Sequence, residues 1–141
     1  MEYRDSLLAF KEDIEHRGLL DWLEAHTSFL RPLHRYFGAI EINSVNLTFL
    51  GTDVKNSNSF SLLIKITSII GIHLGYDHIF KRIEDRSLGI LHFVPLRINF
   101  ISEGKEESIY VFANYSSLIR HSDNQKLFEA LVSYKVSVVP K

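Results

Sequence analysis

The sequence predicts an α+β fold in which two N-terminal helices and a C-terminal helix pack on one face of a bent, mainly antiparallel sheet of four to five strands. Three observations carry that expectation. Apolar residues recur at helical spacing in residues 1–38 and at strand spacing in residues 60–76. The chain also has 45% hydrophobic residues, including ten Phe and six Tyr, enough large side chains to fill a core. Its 141 residues lie in single-domain range, and no linker, repeat or low-complexity block divides them, so residues 1–141 read as one domain.

Taken in order, Tyr3, Leu7, Phe10 and Ile14 form the stripe of a first amphipathic helix, stopped at Gly18. Leu19, Leu23, His26, Leu30, Leu33 and Phe37 form the stripe of a second, kinked at Pro32 and ended by Gly38. From Ala39 to Leu50 the composition turns to β-formers, with a change of parity at Asn43-Ser44 that suggests a bulge or bend. Gly51 to Ser59 reads as a polar loop.

The clearest strand signal follows. Phe60, Leu62, Ile64, Ile66, Ile70, Ile72, Leu74 and Tyr76 share one parity, which predicts a single long strand bent at Gly71 and Gly75. Asp77 to Ser87 suits a short helix or a crossing loop, and Leu88 to Phe100 resumes the alternation with a break at Pro95. Ser102 to Glu106 is a turn, and Ile109, Val111, Ala113 and Tyr115 make the return strand of a hairpin. Ser122 and Gln125 then open a helix carrying Leu127, Ala130, Leu131 and Tyr134, and Val136 to Val139 would add a short strand.

Composition excludes several classes of chemistry. Without cysteine there is no disulfide, thiolate metal site or cysteine nucleophile, which fits a reducing, cytoplasmic setting. A net charge of −1 offers no basic field for nucleic acid. No apolar run approaches the ~20 residues needed to span a bilayer. The spacing Gly71-Ile72-His73-Leu74-Gly75 does not make a phosphate loop, and no nucleophile elbow is present. The seven histidines show no zinc-binding offset, so neither a metal nor a cofactor is expected.

Two groups of residues remain as candidate sites. Lys65, Thr67, His73 and Asp77 lie on the polar parity of the long strand, joined by Arg97 on its neighbour, and would meet on a concave sheet face as a ligand site. Tyr110, Phe112 and Tyr115 on the hairpin strand would offer an aromatic surface to a partner, with Ser108 to Tyr115 as a sheet edge. The function expected is a non-catalytic intracellular domain of inhibitor, immunity, antitoxin or chaperone type. It would bind a protein through a sheet edge or an aromatic patch. The alternative is a small-molecule-binding domain or small enzyme with its pocket on the concave polar face.

Overall fold

The computed structural model describes residues 1–15, 34–79, 94–116 and 122–138. Among them the chain forms seven strands, β1 (Glu2–Phe10), β2 (Tyr36–Ile42), β3 (Asn46–Asp53), β4 (Ser59–Lys65), β5 (Ile69–Leu74), β6 (Leu96–Ser102) and β7 (Lys105–Phe112). A short helix α1 (Lys11–Glu15) follows β1, a 3-10 turn (Ile66–Ser68) links β4 to β5, and helix α2 (Asn124–Val138) comes last. All neighbouring strands are antiparallel, in the order β4-β3-β2-β1-β7-β6-β5.

This corrects the expected architecture. The sheet has seven strands rather than four or five, and the stretch from Tyr3 to Phe10 is its central strand, not a helix. The cause is burial on both faces. Leu7, Leu8 and Ala9 are all buried, so β1 shows a continuous apolar run instead of alternation. A bulge at Asp5 (φ 50°) also switches the side-chain parity, so that Tyr3 and Leu8 enter the same core. The result imitates helical spacing. The second expected helix falls on residues 16–33, outside the described residues, and its supposed end at Tyr36, Phe37 and Gly38 belongs to β2.

Of two further breaks, one is larger than expected and the other lies elsewhere. The parity change at Asn43-Ser44 is a complete hairpin turn, in which the Asn43 side chain accepts bonds from Val45 N (2.8 Å) and Asn46 N (2.9 Å). The long strand from Phe60 to Tyr76 is two strands, divided at Ile66–Ser68; Gly71 marks a register shift within the second. Ile66 is buried and keeps the apolar parity running through the break, which hid it. The hairpin of β6 and β7 is as the sequence indicates, closed by Glu103 (φ 50°) and Gly104 (φ 78°). The C-terminal helix is also present, extending through Val138 where a strand had been expected.

The 3-10 turn determines the curvature. β4 and β5 lie at opposite edges of the sheet, which would stand roughly 29 Å apart if it were flat. Three residues bridge them, a link reaching at most about 14 Å from Lys65 to Ile69. The sheet must therefore curl until its two edges approach at this corner. Ile64, Ile66 and Ile69 share one cluster with Leu8, Phe49, Ile98, Val111, Leu127 and Leu131, so the inner face of the curl holds the main core and α2. Lys135 Nζ donates to the Ile66 carbonyl (3.3 Å), tying α2 to the corner.

A second, smaller core lies on the outer face of β1 and β7. It contains Leu7, Ala9, Ile14, Tyr110, Phe112 and Tyr115, with Phe37, Tyr76 and Ile79 against it. The N-terminus of α2 is fixed by Asn124, 2% exposed, whose Oδ1 accepts Ala113 N (2.7 Å). Its Nδ2 donates to the carbonyls of Val94 (2.7 Å) and Val111 (2.9 Å).

Candidate functional site

The alternation on β5, β6 and β7 sets His73, Arg97 and Tyr110 directly opposite one another in a single row across the outer face. The turn after β5 then carries Asp77 over that row. Its Oδ2 accepts bonds from Arg97 Nη1 and the Tyr110 hydroxyl, both at 2.8 Å, and its Oδ1 accepts Ile79 N at 2.8 Å. His73 Nε2 lies 3.4 Å from the Tyr76 carbonyl, and Ser108 Oγ donates to Asn99 Oδ1 (2.8 Å) one row away. Burial pushes the Tyr110 phenol well above its ordinary range, reinforced by the hydrogen bond and negative charge of Asp77.

The structure thus brings together His73, Asp77, Arg97 and Tyr110, from both expected groups. Lys65 and Thr67 stand apart at the corner between β4 and β5, exposed. The polar row occupies the outer face of the curl, whereas the concave face is filled by apolar side chains and α2. Asp77 carries three short hydrogen bonds that clamp the 75–79 turn to the sheet, while Arg97 Nε is buried without a hydrogen-bond partner among the described residues. Tyr110, Phe112 and Tyr115 are all buried in the second core, the last two with rings edge to face at 6.4 Å. β7 is an interior strand flanked by β1 and β6, not a sheet edge.

A second polar cluster escaped the sequence reading. Arg35 holds Asp53 in a two-pronged contact (Nε to Oδ1 2.9 Å, Nη2 to Oδ2 2.8 Å) and reaches Asp13 Oδ1 at 3.3 Å. Hydrogen bonding to Arg35 holds the Asp53 carboxyl below its usual range, helped by main-chain donors at Lys55 and Asn56. Asp13 Oδ2 also accepts Phe10 N (2.9 Å), so the cluster joins α1, β1, β2 and the end of β3. Contacts between residues this far apart in the chain leave no local pattern.

The edge of β4 also has hydrogen-bonding capacity left over. Asp53 N bonds the Asn58 carbonyl and Ile66 N the Val45 carbonyl, which places the β3-facing groups of this ladder on the even residues of β4. The main-chain groups of Ser59, Ser61, Leu63 and Lys65 therefore point away from the sheet. Among the described residues the Lys65 carbonyl has a partner, Ser68 Oγ at 2.7 Å. Beside this edge, on the outer face, Leu50 and Leu63 are 61% and 57% exposed. The opposite edge is less inviting: β5 presents Ile72 and Leu74 next to its bulge and ends at Gly75.

No known family model matches the chain, and no curated protein shows significant similarity to it.

Proposed function

We propose that this chain is a non-catalytic, intracellular protein-interaction domain that takes up an extended segment of polypeptide along the edge of β4 that no described strand pairs. The observation that carries this reading is the row of outward main-chain groups at Ser59, Ser61 and Leu63, in a strand without proline or bulge. Natural edge strands are blunted by charges, prolines, bulges or a covering element. β4 has a single charge, Lys65, at its very end. An added strand would gain main-chain hydrogen bonds from the edge, and Leu50 and Leu63 would supply apolar contact beside it. The cysteine-free composition suits the reducing compartment assumed in this reading.

Affinity capture from host lysate with the wild type and with Ser61→Pro tests the proposal. The Ser61 N–H faces outward, so proline removes an edge donor while the bonds to β3 remain. Partners retained by the wild type and lost by Ser61→Pro are the expected result. Equal retention by both proteins refutes the edge as the binding site.

A further inference from the structure

Resting on that reading, we infer that the segment seated on this edge is β4 of a second copy of the chain, paired antiparallel about a two-fold axis through Leu62. The hydrogen-bonding pattern is self-complementary about that residue. Rotation sets Ser59 opposite the second copy's Lys65 and Ser61 opposite its Leu63, so each outward N–H meets an outward carbonyl. All four outward residues are used, the Lys65 carbonyl accepting there in addition to its bond from Ser68 Oγ, and no other register achieves this.

Charge favours a like partner as well. Ser59 to Ile64 carries no ionisable group, so two copies meet without repulsion and no strongly charged partner is selected. Each Lys65 falls beside a serine hydroxyl, and the two ammonium groups end up on the order of 20 Å apart along the strands. The two exposed Leu63 side chains become diagonal neighbours on the outer face, each backed by its own Leu50. The two Leu63 side chains thereby share an apolar contact across the seam. β5 offers a shorter edge: only Ile72 and Leu74 face outward beside its bulge, half the outward residues of β4.

The absence of cysteine makes the test direct. Leu62 would face its counterpart in a non-hydrogen-bonded pair, with Cα atoms about 4.5 Å apart, within disulfide range. Leu62→Cys introduces the sole thiol of the chain, and mild oxidation should convert it to a disulfide-linked dimer. By sedimentation the wild type should show twice the chain mass. Ser61→Pro and Leu63→Lys should each show the chain mass, with unchanged circular dichroism and a melting temperature that no longer depends on protein concentration. Leu63→Lys provides the check should proline disturb the strand, because this side chain is largely in solvent. A wild type that sediments as a monomer at its highest attainable concentration overturns the inference, as does a dimer that survives both variants or an uncrosslinked Leu62→Cys. A monomeric wild type whose captured partner is lost with Ser61→Pro overturns the second copy alone, leaving strand uptake at β4 standing. Capture that is indifferent to Ser61→Pro refutes strand uptake as well.

Discussion

Gly38 on β2 lies directly opposite Gly51 on β3, and the two backbones approach so closely that neither position has room for a Cβ. A methyl group on Gly38 would stand 2.2 Å from the Leu50 carbonyl oxygen, and one on Gly51 would stand 2.3 Å from that of Phe37. The obstruction is backbone, which cannot swing aside as a side chain can. Both glycines are on the inner face, where Tyr36 and Phe60 lean across β3 and stack at 3.7 Å. Vacating this strip lets the aromatic rings close over it.

Gly38→Ala and Gly51→Ala should each destabilise the fold by about 3 kcal/mol, at the upper end of what overpacking usually costs. Urea unfolding monitored by fluorescence measures it. The double variant should lose less than the sum, because both substitutions strain the same contact. Additive losses would show that the two sites do not share it.

Removing Asn124 should be more harmful than its place at a helix terminus suggests. Asn124→Leu leaves the Ala113 amide and the carbonyls of Val94 and Val111 without this partner, at about 3 kcal/mol. Asn124→Asp should be worse, because a carboxylate then faces two carbonyl oxygens. Ranking the two by thermal melting tests whether the donated bonds matter as much as the accepted one.

The Asp77 clamp makes an alkaline prediction. The Tyr110 phenol is raised above its ordinary value of 10.0, so above that pH the unfolded chain loses a proton that the folded chain keeps. The stabilisation from this group is complete below pH 10.0 and disappears as pH rises through the folded value. Stability should therefore fall above pH 10.0, and Tyr110→Phe should flatten the decline. Tyr110→Phe itself should cost about 1 kcal/mol near neutrality through the lost hydrogen bond. Arg97→Met should cost about 3 kcal/mol, leaving a carboxylate 8% exposed without its cation.

Asp53 governs the acid side. Its carboxyl is lowered from the ordinary 3.8, so its contribution is present above that value and lost as pH falls through the lower folded one. Asp53→Asn should destabilise at neutral pH by about 2 kcal/mol and make the acid limb of the stability profile shallower. An unchanged acid limb would assign acid unfolding to other carboxylates.

Local signals in the sequence recovered those parts of the fold that are locally determined. The β6–β7 hairpin could be read because Glu103-Gly104 has turn chemistry and both strands bury their inward parity. The same reasoning failed for β1, whose two faces lie in separate cores assembled from distant parts of the chain; double-sided burial erases the alternation on which a strand is recognised. His73, Asp77 and Arg97 were selected by parity, and the turn at Gly75 lets Asp77 fold back on Arg97. The β4 edge was concealed because Ile66 continues the parity across the corner. Nothing local distinguishes a strand paired on both sides from one paired on a single side.

The position of β1 has a consequence for how the molecule is made. As residues leave the ribosome in order, β1 emerges before β7, which flanks it on one side and is synthesised about a hundred residues later. Until then, β1 to β4 can exist only as a half-built meander whose β1 flank is as bare as the outer edge of β4. A nascent chain with two naked strand flanks is vulnerable to misassociation on the polysome, and the long separation between β1 and β7 makes closure slow. The last step of folding would then be the sealing of β1 against β7.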